Sequence, residues 1–510
     1  MFCGCAQEAA PPPINVVDAG DYSIGESADT APGESVPADN AAAEYSERGD
    51  NADTSREAES ASEAATSESS PDLPQEAPTE PSDTERPAPF ETSRDTESTK
   101  PTEPSAAESS AFSESSSATE TTTTDTAPEL VSPPEEIGTS SYKALNYDEV
   151  RGVWISYIEL SEMLTGKTES EFRTAVGTAF DNCKALGLNT VYVHARSHSD
   201  AYYRSSLFPW SKYCTGTAGK APAFDPLAVM VEEAHARKLS FQAWINPLRA
   251  CPAGDTSAQS GYKLGEWISE KAGDYIVNVG GTYYLNPAYD EVTRFIAQGA
   301  AEIAANYDVD GIHIDDYFYP TTDASFDSRG YSASGYTTLS AFRFANCDRL
   351  VKCLYSAVKS ANSTALFGVS CQGSMDNNYN QMYADVKKWC TESGYTDYIM
   401  PQIYYGFENS TQPFERCTSE WSALAQSGKI PLIVGLSASK IGLEDTWAGA
   451  GKQEWKTEEN ILARQFLYAY EQPAYGGVCL YSYRSIFTPE AAVRAQVEKE
   501  TQALKNALSQ

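Results

Sequence analysis

Residues 310–317 read Asp310-Gly311-Ile312-His313-Ile314-Asp315-Asp316-Tyr317. Isoleucines at 312 and 314 alternate with polar residues at 313 and 315, the period-two pattern of a strand with two unlike faces. Apolar residues at helical spacing occupy 289–306 before it and 338–361 after it. A strand set between two helices belongs to a parallel sheet, because parallel neighbours need a long crossover. The same unit recurs in both directions. Strands are expected at 150–156, 189–196, 239–246, 310–316, 366–372, 398–404, 430–437 and 477–483. Further helices are expected near 169–187, 225–238, 379–393, 414–428 and 457–471, with a closing one near 489–508. Eight such units match a (β/α)8 TIM barrel. An open doubly wound sheet would show fewer units and a glycine-rich first turn. The stretch 247–288 is too long for a simple connection, and its Gly280-Gly281 pair between β-rich runs predicts an inserted hairpin near 275–285.

Upstream of the barrel the composition changes. The 510 residues carry a net charge of −35. Residues 1–145 hold 31 Asp and Glu against 6 Lys and Arg, and consist mostly of Ser, Thr, Glu, Ala and Pro. Such a stretch buries too little apolar surface to offset chain entropy and is expected to be a disordered tether, leaving 146–510 as the barrel domain. All eight Trp fall in the second part. Strong acidity without a basic patch argues against nucleic-acid binding, and no apolar run is long enough to span a membrane. The start, Met1-Phe2-Cys3-Gly4-Cys5, resembles the end of a bacterial lipobox without a complete signal peptide before it. Cys5 is therefore expected to be a lipidation site on a cell-surface protein whose true start lies upstream, anchored to the membrane rather than crossing it. Eleven Cys form no CxxC or zinc spacing, so no disulfide, metal site or cofactor is predicted. A monomer is expected.

Barrel enzymes work at the C-terminal ends of their strands, so the last inward-pointing residues are the ones to examine. If the Val residues of Val191-Tyr192-Val193-His194-Ala195-Arg196 meet the helices, then Tyr192, His194 and Arg196 face inward. The same phase turns Gln242, Trp244 and Asn246 inward on the third strand, His313 and Asp315 on the fourth, and Met400, Gln402 and Tyr404 on the sixth. Polar groups at such depth are costly unless they bind something or one another. His313, in mid-strand, reads as either a core histidine or a substrate ligand. Asp310 and Asp397, at strand starts, are expected to cap turns at the barrel floor. Tyr202, Tyr203, Tyr317, Tyr319, Tyr404 and Tyr405 crowd strand ends and following loops, which suggests a carbohydrate cleft.

Several of these runs, in order, resemble the bacterial glycosyl-hydrolase-like family ten. They are Arg151-Gly152-Val153-Trp154, His194-Ala195-Arg196 with Asp200-Ala201-Tyr202-Tyr203, Pro209-Trp210-Ser211, Ala243-Trp244-Ile245-Asn246-Pro247-Leu248-Arg249, Leu285-Asn286-Pro287, residues 308–320, and Pro401-Gln402-Ile403-Tyr404. The resemblance covers about 150–485. It implies an exported, often lipidated TIM barrel acting in glycoside hydrolysis on cell-wall glycan, including strands stripped of peptide. The fourth strand also echoes the chitinase-type DxxDxDxE pattern, but Tyr317 stands where the acid Glu would be, so that mechanism does not transfer.

Glycoside hydrolysis ordinarily needs two carboxyl groups. Asp315 and Asp316 are the catalytic candidates. As neighbours on a strand they would face opposite ways, and could share a substrate only if the strand ends between them. Asp200 and Glu408 are alternative partners. Substrate binding is assigned to His194, Arg196, Asp200, Trp244, Asn246, His313, Tyr317, Gln402, Tyr404 and Glu408. The Asp315-Asp316 pair offers too few ligands for a calcium cage. An enzyme cleaving envelope polysaccharide is the leading reading. A catalytically idle barrel that binds glycan and anchors or senses the wall is the alternative. A deacetylase or esterase lacks both its metal histidines and a GxSxG elbow.

Overall fold

A computed structural model describes residues 138–510. The acidic tether up to residue 137 and Cys5 lie outside the described residues. The strands are β1 (Val150–Ile155), β2 (Thr190–Arg196), β3 (Ser240–Ile245), β4 (Arg249–Pro252), β5 (Ile276–Val279), β6 (Thr282–Leu285), β7 (Gly311–Ile314), β8 (Leu366–Val369), β9 (Tyr398–Ile399), β10 (Leu432–Ser437) and β11 (Tyr475–Tyr481). Eight of them close into a barrel in the order β1-β11-β10-β9-β8-β7-β3-β2. Every neighbouring pair is parallel. Helices lie between successive barrel strands, so the fold is the (β/α)8 barrel that the alternation predicts.

Strand alternation divides the interior into two apolar compartments. Val191, Val193, Phe241, Ala243, Ile312 and Ile314 pack outward against the helices. Trp154, Tyr192, Trp244, Tyr398, Met400, Cys479 and Tyr481 fill the lumen. Glycine makes room for these large rings. Gly368 pairs with His313 on one side and Tyr398 on the other. A Cβ on Gly368 would stand 1.8 Å from the Tyr398 ring, so the absence of a side chain lets Tyr398 lean across β8 towards His313.

The insertion after β3 contains the expected hairpin. β5 and β6 are joined through Gly280 and Gly281, both at positive φ, as a two-residue turn between twisted strands requires. β4 completes an antiparallel three-stranded sheet in the order β4-β6-β5. Two elements differ from expectation. The helix foreseen at 379–393 is two short helices, Met375–Asn380 and Val386–Thr391, separated where Tyr383 adopts φ +54°. The sixth barrel strand is cut to two residues, because Pro401 has no N–H to give to the ladder. Beyond Pro401, Gln402 still touches both neighbours through single bridges to Gln372 and Gly435.

The barrel floor is closed by a strap upstream of β1. Asp310, fully enclosed, accepts from the Tyr142 hydroxyl (2.7 Å) and the Leu145 N–H on one oxygen. Its other oxygen accepts from the Phe241 N–H (2.7 Å) and from His235 Nε2 (2.8 Å). Asp397 likewise takes the Phe367 N–H at 2.7 Å. Both aspartates thus tie strand starts at the floor. Among the described residues, hydrogen bonds to the barrel begin at Ser140, whose N–H reaches the Ala361 carbonyl, a few residues upstream of 146.

Candidate active site

β7 ends at Ile314, so Asp315 and Asp316 both lie just past the last ladder position, at the C-terminal mouth. Neither is bound by strand alternation, so the two adjacent carboxylates are not forced onto opposite faces. Asp315 accepts from Trp244 Nε1–H at 3.0 Å, while the Tyr317 N–H approaches its other oxygen at 3.4 Å. Asp316 accepts from the Gln402 side-chain amide at 3.2 Å. Trp244 stands on β3 and Gln402 follows β9, so the two carboxylates are held from opposite sides of the mouth. Both residues are buried in the protein.

Beneath them lies a layer that sets the indole. His194 Nδ1 accepts from the Tyr157 N–H at 3.0 Å, which leaves the proton on Nε2 to donate to Asn246 Oδ1 at 2.9 Å. The imidazole stacks on Trp244 with centroids 3.4 Å apart. Burial holds the His194 pKa down at about 3, so the ring stays neutral at physiological pH. His194 and Asn246 are each 2 % exposed. Together they set Trp244, which in turn donates to Asp315.

Deeper still, His313 is a core histidine and not a substrate ligand. It has no exposed surface. Its Nε2 accepts from Trp154 Nε1–H at 3.2 Å, and its Nδ1 meets the Tyr398 hydroxyl at 3.0 Å. Since the indole can only donate, the imidazole proton sits on Nδ1. Desolvation keeps its pKa at about 3.

Arg196 is also not where strand phase puts it. The β2–β3 register slips between His194 and Arg196, pairing Arg196 with the outward-facing Ile245. The bulge turns the guanidinium away from the lumen and over the Phe208 ring, 4.4 Å from its centroid. It occupies the helix layer at Gly299, where a Cβ would collide with it. The tyrosine-rich loops are likewise less open than their composition suggests. Tyr202, Tyr203 and Tyr319 are core residues, and Tyr317, Tyr404 and Tyr405 are half-buried. Tyr404 lies against Trp154 and Tyr481, with ring centroids 6.5 and 5.6 Å away.

Asp200 and Glu408 occupy different settings. One oxygen of Asp200 is enclosed without a hydrogen-bond partner. Burial lifts its pKa to about 6, against the pull of Ser211, the His198 backbone and the charges of Arg249 and Lys212. Glu408 has an exposed side chain at the rim, its N–H bonded to Glu454 at 2.9 Å.

Two further residues border the site. Arg249, in β4, donates to the Tyr317 hydroxyl at 3.3 Å and lies over the Tyr317 and Tyr157 rings, 5.4 and 5.8 Å from their centroids. It comes three residues after Asn246, beyond the last position that alternation along β3 can reach. Tyr481 ends β11 and would have emerged from the same phase argument, since Cys479 and Tyr481 alternate with the outward Val478 and Leu480.

A model of the glycosyl hydrolase-like 10 family matches residues 149–449, more than half of the chain. The chain belongs to that family. This is the family to which the motifs around Trp244 and Asp315 point. Among relatives of this glycosyl hydrolase-like 10 barrel, glycosyl hydrolase YngK of Bacillus subtilis is 32 % identical over 317 residues, 58 % of this chain and 61 % of that protein. The chain thus spans about three fifths of that relative's length. Glycosyl hydrolase DigH of Escherichia coli K12 is 28 % identical over 361 residues, covering 63 % of this chain and 82 % of the relative. The glycoside hydrolase domain of PgaB from Bordetella bronchiseptica aligns with 71 % of the chain and 99 % of its own, at a TM-score of 0.44 and 14 % identity.

Proposed function

We propose that the protein is a glycoside hydrolase that cleaves bacterial cell-envelope polysaccharide, with peptide-free glycan strands of the wall as its substrate. The observation that carries this reading is the pair Asp315 and Asp316 at the barrel mouth, each with its own donor, Trp244 and Gln402. Asp315, under the Trp244 indole, is assigned as the anion that attacks the anomeric carbon or deprotonates water. Asp316 is assigned as the acid that protonates the departing glycosidic oxygen. Half-buried Tyr317, Gln402 and Tyr404 border the pair and offer hydroxyl and amide groups to a sugar. Both relatives are named as glycosyl hydrolases, which agrees with this reading. The lipobox-like Cys5 would hold the enzyme at the cell surface on its acidic tether, where the polymer lies.

The test separates the two carboxylates by leaving group. Wild-type protein incubated with peptide-free wall glycan should release new reducing ends. Asp315→Asn should slow this at least about 100-fold, the ordinary worth of a group acting in acid–base or covalent catalysis. It should slow an aryl glycoside with a good leaving group equally. Asp316→Asn should be slow on glycan but much less impaired on the aryl glycoside, which needs no acid. Near-native turnover by folded Asp315→Asn would refute the assignment. One observation favours the alternative of a glycan-binding barrel without turnover: the chitinase-type acid position is occupied by Tyr317. Wild-type protein that sediments with the glycan yet releases no reducing ends would establish it.

A further inference from the structure

Of the eight tryptophans, seven are buried or half-buried, and Trp447 alone is turned out, at 73 % exposure. It stands in the loop after β10, hence on the same C-terminal face as Asp315 and Asp316. An isolated exposed apolar residue is ordinary, but this one is mounted on a rigid support. Asp445 is enclosed and accepts from Lys440 Nζ at 2.7 Å and from the Trp447 N–H at 3.3 Å. The same Lys440 ammonium donates to the Tyr404 carbonyl at 2.7 Å. Trp447 is therefore two side chains removed from a residue of the cleft. The turn is closed by Ala448 N–H to the Asp445 carbonyl and by Asp445 N–H to the Lys452 carbonyl. It is also fastened to the neighbouring loop after β9, through Ser410 N–H to the Ala448 carbonyl and Ala450 N–H to Ser410 Oγ at 2.8 Å.

A buried ion pair is poor value as a source of stability, since desolvation consumes most of its attraction, but it does define geometry. Here it fixes the base of an aromatic side chain that nothing within the described residues covers. An indole held in place loses little freedom on binding, and its broad apolar face suits the C–H face of a pyranose whose substituents are equatorial. We propose that Trp447 is a distal subsite that stacks a sugar ring of the polymer outside the scissile pair, on the β9–β10 side of the cleft. The proposal rests on the glycan-acting reading above. It adds that the site is extended and prefers long chains.

The experiment uses the full chain carrying Asp315→Asn, so that glycan persists, with and without Trp447→Ala and Trp447→Phe. Affinity electrophoresis through gels containing peptide-free wall glycan measures polymer binding. Isothermal titration with a disaccharide of the same glycan measures binding at the scissile pair. Trp447→Ala should weaken polymer binding about five- to tenfold, the loss expected for one aromatic stack. It should leave disaccharide binding and the melting temperature unchanged, and Trp447→Phe should recover most of the polymer affinity. Unchanged polymer binding by Trp447→Ala overturns the subsite and leaves the proposed function standing, with a protein partner as the occupant to seek. Protein that binds no glycan of either length, with Trp447 intact, overturns the proposed function and the subsite with it.

Discussion

Acid should weaken this barrel through its buried histidines, and one substitution should reveal how. His313 titrates at about 3 in the folded protein and near 6.5 when unfolded. Its folded value is depressed, so the stability it contributes is complete above pH 6.5 and is lost as pH falls towards 3. At pH 5 the loss is about 2 kcal/mol, and His194, held at the same value, adds about as much. That is a large part of the 5–15 kcal/mol typical of a domain. Carboxyls with raised values act in the opposite sense. Asp200 at about 6, and enclosed Glu159, take up protons more readily when folded, so they gain stability as pH falls. The wild-type curve is a sum of both, and only a difference isolates one ring. His313→Gln serves this purpose, because an amide can accept from Trp154 and donate to Tyr398 without titrating. Urea unfolding at pH 7.5, 6.5, 5.5 and 5.0 should show a variant less stable than wild type at pH 7.5. Between pH 7.5 and 5 it should then lose about 2 kcal/mol less than wild type does. Curves that stay parallel through that interval would show that His313 is not a buried neutral group.

Further outcomes can be checked by denaturation. Gly368→Ala should lower stability by about 1–3 kcal/mol, since the new methyl stands inside the Tyr398 ring and that side chain must move away from His313. Arg343 and Asp327 are paired at 2.7 Å with no side-chain exposure, so Arg343→Met alone should cost about 3–5 kcal/mol by stranding the carboxylate. The Arg343→Met, Asp327→Leu double variant should recover much of that loss. Deleting residues 1–137 should leave the melting temperature unchanged, as expected of a tether of that composition. Deleting 1–147 should lower stability by about 1–3 kcal/mol, because Asp310 then loses the Tyr142 and Leu145 donors.

Period-two alternation sufficed to locate all eight barrel strands, since Ile312 and Ile314, or Val191 and Val193, must meet helices whatever lies beyond. It identified the lumen face correctly for Tyr192, Trp244, His313 and Met400. It failed wherever the backbone departs from a regular strand. The β2 bulge sends Arg196 to the helix layer, and β7 ends before Asp315. Pro401 cuts β9 to two residues, and Arg249 comes after a turn. Composition misled at Tyr202 and Tyr203, because a loop that folds back under its neighbours buries rings as completely as a strand does. None of these departures leaves a trace in hydrophobic period, although Pro401 marks the break in β9 through its missing N–H.

Polarity in the lumen is sorted by depth, and this ordering is why the proposed chemistry is placed at residue 315 and not two residues earlier. At the His313 level both ring nitrogens are committed, to Trp154 and Tyr398, and no surface is left for solvent. One layer higher, His194 is equally committed to the Tyr157 backbone and Asn246, but its ring face supports Trp244. At the next level Trp244 and Gln402 deliver N–H groups to Asp315 and Asp316, and the surrounding Tyr317, Gln402 and Tyr404 are only half-buried. Each layer is locked from below, so the two proposed catalytic carboxylates gain fixed positions from histidines that burial keeps neutral at physiological pH. A charge on His194 would make Nδ1 a donor facing the Tyr157 N–H and break that contact, which together with Asn246 seats Trp244 and its donor to Asp315. The low pKa of that histidine is thus part of how the carboxylate is aimed, and acidification towards pH 3 should release Trp244 from its seat.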